Sequence, residues 1–155
     1  MKNTTLCFLV KEDKVLLAMK KRGFGAGKWN GVGGKVSDSE DIKDATVREA
    51  NEEIGVSINP ADLKSYGSIK FSFDGNPDWN QEVHIFITEK WEGEPAESEE
   101  MKPKWYENNN LPFESMWLDD PHWLPKVLEG KKIEGEFMFD GKGSKILKFE
   151  VREAD

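Results

Sequence analysis

The sequence has a single cysteine, only two histidines and no long apolar run. The lone cysteine, Cys7, excludes an internal disulfide and indicates a reducing compartment. Because it lies in a short apolar segment, we expect its side chain to be buried in a strand. Neither His84 nor His122 is paired with a hydroxyl nucleophile in the sequence, so structural rather than catalytic roles are expected for both.

Membrane and export signals are also scarce. A transmembrane helix needs about 18–20 consecutive apolar residues, and the chain has no such run. The opening segment MKNTTLCFLVKEDK has too short an apolar stretch for a secretory signal, and it lacks a small-residue cleavage site. The sequence therefore predicts no membrane partner and a cytoplasmic location.

The charge balance argues against a nucleic-acid partner. The chain of 155 residues carries a net charge of −8, which repels a polyanion on average. A small anionic substrate remains compatible with this charge if a metal ion and a few lysines neutralise it locally. With 34% charged and 11% aromatic residues, the composition is that of a globular protein. We expect a monomer.

The order of apolar and turn-forming segments predicts a mixed α/β fold. Predicted strands cover Thr4–Val10, Val15–Met19, Leu63–Phe73, Glu82–Trp91, Pro103–Tyr106, Ile133–Phe139 and Ile146–Val151. Predicted helices cover Asp41–Ile54 and Asp119–Glu129, and the acidic segment 92–100 between strands is expected to be a loop. This order favours a mixed sheet with helices on both faces, within a single domain that spans residues 1–155.

An acidic cluster lies on the first predicted helix. Glu49, Glu52 and Glu53 fall at i, i+3 and i+4, so three carboxylates share one face. Like charges at this spacing weaken a helix, but a bound cation turns that cost into a site. Oxygen ligands without a neighbouring histidine or cysteine suit a hard ion such as Mg²⁺ or Mn²⁺. A solvated acidic face is the alternative for a lone cluster of this kind.

The segment GKVSDSEDIKDATVREANEEIGV resembles the signature of the Nudix hydrolases, G-x5-E-x7-R-E-U-x-E-E-x-G-U, where U is a bulky aliphatic residue. The matching positions are Gly34, Glu40, Arg48, Glu49, Glu52, Glu53, Gly55 and Val56. Ala50 departs from the pattern because it is smaller than the usual aliphatic residue. The resemblance implies an α/β/α sandwich and an enzyme that hydrolyses nucleoside diphosphates linked to another group.

The resemblance also implies a divalent metal, Mg²⁺ or alternatively Mn²⁺, held by the helical carboxylates. Glu49, Glu52 and Glu53 are the expected ligands. Gly33 and Gly34 are expected to lie beside the metal and the substrate, where a backbone carbonyl adds a further ligand oxygen. Such ions neutralise the phosphate oxygens and lower the pKa of an attacking water. Glu53 is the first candidate for the general base, followed by Glu49.

Two further residues of the signature allow alternative roles. Arg48 is suited either to a phosphate contact or to an ion pair that holds a glutamate in place, and its fork geometry fits both. The ion pair is usual in the family, and we favour it. Glu40 is expected to support the site from behind rather than to bind the metal.

Similarity to one branch of the family extends over nearly the whole chain. The segments 19–35 (MKKRGFGAGKWNGVGGK), 96–105 (AESEEMKPKW) and 111–125 (LPFESMWLDDPHWLP) resemble the mammalian-type enzymes that hydrolyse oxidised purine nucleoside triphosphates. Those enzymes convert 8-oxo-dGTP and 2-hydroxy-dATP to the monophosphate and pyrophosphate, and so remove damaged precursors before a polymerase uses them. In this resemblance Thr5, Lys20 and Phe24 touch the substrate, and Glu100 is a further metal ligand.

Several residues are suited to holding a purine. The face of Trp117 is suited to stacking on the base, and Phe71 and Phe73 alternate on one strand face and are able to wall the pocket. Asn30 carries both a donor and an acceptor for the purine edge. Without the resemblance, the two phenylalanines are expected to be ordinary core residues.

Asp119 and Asp120 are expected to read the base edge. Ionised carboxylates accept hydrogen bonds from guanine N1–H and N2–H₂. Two adjacent aspartates near a buried base titrate as a coupled pair, so a protonated member becomes a donor for an adenine-type edge. The alternative is helix capping by either residue. Trp123 is a further candidate, as a support for Trp117.

The sequence also departs from the mammalian pattern and leaves rival functions open. The segment 74–83, DGNPDWNQEV, is longer by about a residue and places Trp79 where smaller aliphatic residues are usual, and Ser39 replaces a common glycine. Rival substrates for a Nudix enzyme are O6-methyl-dGTP, ADP-ribose and dinucleoside polyphosphates. A rival of another class is a binding module that uses the fold without catalysis; the net charge and the complete glutamate set argue against it.

Overall fold

A computed structural model describes residues 1–154 and contains eight strands and two α-helices. The strands are β1 (Lys2–Lys11), β2 (Lys14–Lys20), β3 (Trp29–Asn30), β4 (Lys64–Phe73), β5 (Gln81–Thr88), β6 (Met101–Glu107), β7 (Lys132–Phe139) and β8 (Ile146–Ala154). The helices are α1 (Ile42–Ile54) and α2 (Asp120–Leu128). Short 3₁₀ turns cover Pro60–Asp62, Pro77–Trp79 and Phe113–Ser115.

All eight strands belong to one mixed sheet, in the order β3-β2-β1-β5-β4-β7-β8, with β6 paired to β2. The neighbours β1 and β5 are parallel, as are β4 and β7. The other paired strands are antiparallel, and they include the β1–β2 and β7–β8 hairpins.

Helix α1 has well-defined ends. The Asp41 side chain accepts hydrogen bonds from the backbone N–H groups of Lys43 (2.9 Å) and Asp44 (3.4 Å), which satisfies the first free donors. Gly55 ends the helix in the left-handed conformation at φ 75°, which glycine adopts without a steric penalty. Within residues 1–154, neither helix is long and apolar enough to cross a membrane.

The two faces of the sheet carry separate apolar clusters. Along β1, Phe8 points into the cluster that contains α2 residues, whereas its neighbours Cys7 and Leu9 point into the cluster with α1 residues. Strand side chains alternate between faces, so α1 and α2 cover opposite sides of the sheet. The predicted α/β/α arrangement is therefore confirmed. The prediction that Cys7 is buried is also confirmed, and burial raises the pKa of its thiol to about 12.

Several elements differ in their bounds from the sequence-based prediction, and three of them have an evident physical reason. Strand β5 ends at Thr88 rather than Trp91, because the Thr88 hydroxyl donates to the Lys90 carbonyl and accepts from the Lys90 N–H in a local turn. The two-residue strand β3 was not predicted, since its register comes from pairing with β2. Helix α2 ends at Leu128, and its Asp119 cap makes no side-chain bond to the helix N–H groups.

Candidate active site

One cavity of about 590 Å³ joins the acidic face of α1 to an aromatic compartment on the other side of the sheet. We call it the site cavity. Every residue that the sequence predicts to bind the metal or the substrate lines it. These residues are Thr5, Lys20, Phe24, Asn30, Gly33, Gly34, Glu49, Glu52, Glu53, Phe71, Phe73, Glu100, Trp117, Asp119 and Asp120.

Glu53 lies at the buried part of the acidic end. Its Oε1 accepts a hydrogen bond of 3.0 Å from the backbone N–H of Gly33. Burial raises the pKa of Glu53 to about 7, the Gly33 bond opposes that rise, and the nearby Glu49 charge adds to it. The Lys20 charge acts in the opposite direction. Glu53 is therefore held in place and able to exchange a proton near neutral pH.

Arg48 organises the other carboxylates of α1. Its guanidinium forms a two-pronged pair with Glu40, with Nε 2.9 Å from Oε2 and Nη2 3.0 Å from Oε1. Its Nη1 lies 2.9 Å from Glu49 Oε1 and 3.4 Å from Glu52 Oε2. The Arg48 bonds lower the pKa of Glu40 to about 2. The ion-pair interpretation of Arg48 is thus confirmed.

Two adjacent glycines are required by contacts of different kinds. A Cβ at Gly33 would lie 1.8 Å from the backbone oxygen of Thr5, which no side-chain motion relieves. A Cβ at Gly34 would lie 2.6 to 2.7 Å from the carboxyl group of Glu49. Gly34 also pairs with β1, because its carbonyl accepts from the Thr5 N–H at 2.9 Å. The segment 33–34 therefore packs tightly against both β1 and the acidic face.

The donor set at the acidic end fits a hard divalent ion. Glu49, Glu52, Glu53 and Glu100 offer only carboxylate oxygens to the site cavity. The Arg48 bonds use one oxygen each of Glu49 and Glu52, and the space beside Glu49 is open because Gly34 has no side chain. In the part of the chain that the structure describes, no three acidic, histidine or cysteine side chains already form a close metal-type group. Ligation therefore requires these side chains to converge on the ion.

Glu100 reaches the cavity from the loop before β6. The loop is fastened to the end of β2, since the Lys21 N–H donates to the Glu100 carbonyl at 2.8 Å. The Lys21 ammonium also binds the Ser98 carbonyl at 2.7 Å and pairs with Glu97. Arg22 Nη2 lies 3.2 Å from Glu100 Oε1. These contacts bring a carboxylate remote in sequence next to the α1 cluster.

The opposite end of the cavity is aromatic. The rings of Phe24 and Trp117 lie 5.2 Å apart, and Phe73 stacks on Phe139 at 5.4 Å. The Lys28 ammonium lies 5.2 Å from the centre of a Trp117 ring, a cation–π distance. This compartment has the apolar faces that a planar heterocycle requires.

Asp119 and Asp120 are buried at the floor of this compartment. Asp119 Oδ2 accepts from the Trp123 indole N–H at 2.8 Å, and Asp120 Oδ2 accepts from the Trp117 N–H at 3.2 Å. Burial raises the pKa of Asp119 to about 6, against the Trp123 bond. Burial and then the Asp119 charge raise the pKa of Asp120 well above its usual range. The pair is therefore able to share a proton.

One interpretation of this region was wrong. The helix-capping role is not realised by Asp119, because its side chain bonds to Trp123 rather than to the first N–H groups of α2. Trp123 is buried, bonds to Asp119, and packs edge-on against Phe8 with ring centres 6.0 Å apart, so its link to the cavity runs through Asp119. Local sequence spacing cannot distinguish a capping aspartate from one that faces a core tryptophan.

Sequence reasoning missed several cavity residues. Lys28, Gln81 and Phe139 line the cavity together with Thr4, Leu6, Ala18, Gly25, Val83 and Met101. Lys28 was hidden in a basic, glycine-rich loop, and Gln81 is placed by the 3.0 Å bond from the Thr4 hydroxyl across the parallel β1–β5 pair. Among these missed residues, only Phe139 had a signal in the sequence: strand alternation along β7 points it to the same face as Phe137.

The raised pKa values predict a pH-dependent stability. The unfolded aspartates release protons near their usual pKa of 3.8, whereas folded Asp119 does so near 6 and Asp120 higher still. The unfolded chain therefore binds fewer protons between about pH 4 and 7, so the pair lowers stability as pH rises through that range. We expect Asp120→Asn to raise the unfolding free energy by about 2 kcal/mol at pH 8.

At pH 4 the same substitution is expected to raise the unfolding free energy by less than about 1 kcal/mol, since both folded aspartates are then protonated and the unfolded ones are only about half ionised. Thermal unfolding at the two pH values measures the difference, and exposed Asp78→Asn serves as a matched control. An equal gain at pH 4 and pH 8 would contradict the coupled, buried pair.

Comparison with protein families identifies the class. A family model described as NUDIX domain matches residues 2–127. Together with the mixed sheet, the two covering helices and the carboxylates of α1, this match means that the chain belongs to the Nudix hydrolase family.

Two similar proteins come from vertebrates. The chain is 45% identical over 151 residues to the oxidized purine nucleoside triphosphate hydrolase of Mus musculus, covering 97% of this chain and 94% of the mouse protein. It is 49% identical over 137 residues to the protein of the same name from Danio rerio, covering 88% and 86% of the two chains. The crystal structure of a MutT protein from Bacillus halodurans superimposes with a TM-score of 0.82 at 25% identity, over 97% of both chains.

Proposed function

We propose that this chain hydrolyses oxidised purine nucleoside triphosphates, such as 8-oxo-dGTP and 2-hydroxy-dATP, to the monophosphate and pyrophosphate, and thereby sanitises the nucleotide pool. One observation carries the proposal: a single cavity joins the carboxylate cluster to the aromatic compartment with the buried aspartate pair. A triphosphate placed at the first end puts its base at the second. The names of the mouse and zebrafish relatives support the same substrate class.

At the acidic end, Glu49, Glu52, Glu53 and Glu100 would hold Mg²⁺, with Mn²⁺ as a substitute. When bound, the ion neutralises the phosphate oxygens and lowers the pKa of the attacking water. Glu53 is the proposed general base, because its Oε1 is held by the Gly33 N–H within the cavity, which leaves the other carboxylate oxygen free to meet a water. Lys20 provides positive charge for the phosphates at the same end.

At the base end, Trp117 and Phe24 provide the stacking faces, and Phe71 and Phe73 provide the wall. The pair Asp119 and Asp120 reads the purine edge: an ionised member accepts from guanine-type donors, and a protonated member donates to adenine-type acceptors.

Two further residues complete the proposed base site. The Oδ1 atom of Asn30 accepts a hydrogen bond of 2.8 Å from the Gly31 N–H, which holds the side chain. The side-chain N–H₂ of Asn30 therefore remains for the purine edge. Thr5 is buried beside Gly34, close to both ends of the cavity.

We further propose that the enzyme acts in the cytoplasm as a monomer, on a free nucleotide and without a nucleic-acid or membrane partner. The net charge of −8 supports the absence of nucleic-acid and membrane partners, because it disfavours polyanions and anionic lipid surfaces. The cations of the cavity act only locally, on a small substrate.

The decisive experiment compares substrates and measures the products of each, which are pyrophosphate from the triphosphates and AMP from ADP-ribose. Initial rates are measured for 8-oxo-dGTP, 2-hydroxy-dATP, O6-methyl-dGTP, dGTP and ADP-ribose in Mg²⁺, with and without excess chelator. We expect the oxidised triphosphates to be preferred over dGTP, and all turnover to stop in chelator. Faster turnover of ADP-ribose than of any purine triphosphate would overturn the proposed substrate.

A further inference from the structure

Phe24 is a large apolar side chain in an exposed, glycine-rich turn. It is 53% exposed, although it lines the site cavity. The turn around it requires left-handed backbone at Gly23, Gly25 and Gly27, with φ values of 82°, 84° and 86°. Glycine-rich backbone of this kind has many accessible conformations, so the turn alone does not fix where the Phe24 ring lies.

Aromatic contacts fix the ring instead. Phe24 lies between two indoles, with ring centres 4.9 Å from Trp79 and 5.2 Å from Trp117. Trp117 is itself a wall of the site cavity, whereas Trp79 stands behind Phe24 and Phe73, outside the cavity wall. Trp79 packs edge-on against Phe73 at 5.5 Å, so it touches two cavity residues at once.

Trp79 rests on a well-bonded turn between β4 and β5. The Asn76 N–H donates to the Phe73 carbonyl at 3.0 Å, and the Phe73 N–H donates to Asn80 Oδ1 at 2.9 Å. The Asn76 side-chain amide also reaches the Gly141 carbonyl in the β7–β8 turn at 3.4 Å. The indole is therefore attached to the sheet, and it offers a fixed surface to the more adaptable glycine-rich turn.

We propose that Trp79 is a positioning residue for the base compartment: it holds Phe24 beside Trp117 and so forms this wall of the compartment before a purine enters. The inference rests on the proposed function for its kinetic consequence, but the contact itself does not depend on the substrate. Because Phe24 is already ordered, binding a purine costs less conformational entropy than it would with a free ring. The extended segment 74–83 thereby contributes to substrate affinity without touching the substrate.

The first test needs no nucleotide. Chymotrypsin cleavage after Phe24 is followed by mass spectrometry in Trp79→Leu, Trp79→Phe and wild type. An aromatic pair is worth about 0.5–1.5 kcal/mol, so loss of the indole is expected to speed this cleavage about fivefold, with a smaller effect for phenylalanine. Trp91→Leu is the matched control, since Trp91 packs against Trp105 in the cluster on the α1 face.

The second test separates affinity from chemistry. With 8-oxo-dGTP, Trp79→Leu is expected to raise KM about fivefold and to change kcat less than about twofold. Phe24→Leu and the double variant Phe24→Leu/Trp79→Leu are expected to share one KM within about twofold, because Trp79 acts through Phe24. Thermal unfolding confirms that each variant is folded before it is assayed.

Unchanged cleavage after Phe24 in both Trp79 variants would overturn the proposal, and so would KM effects of Phe24 and Trp79 that simply multiply in the double variant. If wild type turns over no purine triphosphate, the proposed function fails, whereas the cleavage rates still decide whether Trp79 holds the turn. The two failures are therefore distinguishable.

Discussion

Replacing Glu53 by glutamine is expected to lower kcat about 10³-fold while the fold remains intact. Glutamine keeps an oxygen for the Gly33 N–H bond of 3.0 Å, so the local packing does not change. It also removes a carboxylate whose pKa burial raises to about 7, so no stability is lost with the charge. The proposed mechanism loses a charged oxygen that binds the metal ion, and it loses the group that removes a proton from the attacking water.

Steady-state rates with 8-oxo-dGTP in saturating Mg²⁺ measure the effect, and circular dichroism checks the fold. Glu94→Gln is the matched control, because Glu94 is an exposed glutamate in the loop before β6 and lies outside the site cavity. The control is expected to turn over at the wild-type rate. Near-normal kcat in Glu53→Gln would remove Glu53 from the mechanism.

Alanine substitutions at the two adjacent glycines are expected to have different effects: Gly34→Ala lowers kcat, whereas Gly33→Ala lowers the unfolding free energy. In Gly34→Ala the new methyl group meets only the end of the Glu49 side chain, at 2.6 to 2.7 Å, and that carboxylate is able to swing aside. We expect the stability to change by less than about 1 kcal/mol, whereas kcat falls about 100-fold because a ligand is misplaced.

In Gly33→Ala the methyl group meets the backbone oxygen of Thr5 at 1.8 Å, and β1 would have to move. A loss of several kcal/mol in unfolding free energy, on the order of 4, is expected from such overpacking. Urea unfolding and kcat are measured for both variants. The account is contradicted if Gly34→Ala unfolds as easily as Gly33→Ala, or if it keeps wild-type activity.

Much of the fold was predictable because local signals agree. Strand alternation defined β1 and β7, and the acidic helix was bounded by an N-cap aspartate, Asp41, and a left-handed glycine, Gly55. The failures occurred where structure depends on distant partners. Strand β3 exists only through its pairing with β2, and β5 stops where Thr88 bonds to the Lys90 backbone.

The candidate site was likewise predictable where local sequence patterns decide it, and unpredictable where contacts with distant residues decide it. One cavity is lined by the residues named by family resemblance and by four positions of the signature, Gly34, Glu49, Glu52 and Glu53, although their roles there stay predictions. The side-chain contacts could not be predicted from the sequence, because only the folded packing places Trp123 against Asp119 and Lys28 over Trp117. Trp79 was visible as a departure in the sequence, but its contact with Phe24 depends on the approach of two loops that are far apart in the chain.

The most direct test of the central claim uses the slow Glu53→Gln enzyme to trap its substrate. Crystals of this variant and of the wild type are soaked with Mn²⁺, and the variant also receives 8-oxo-dGTP; anomalous scattering then locates the ion. The account predicts an ion bound by the carboxylates of Glu49 and Glu52 beside the triphosphate, with the base in the aromatic compartment that holds Trp117 and the Asp119–Asp120 pair. Carboxylates that face bulk solvent, with the ion or the base bound elsewhere, would contradict it.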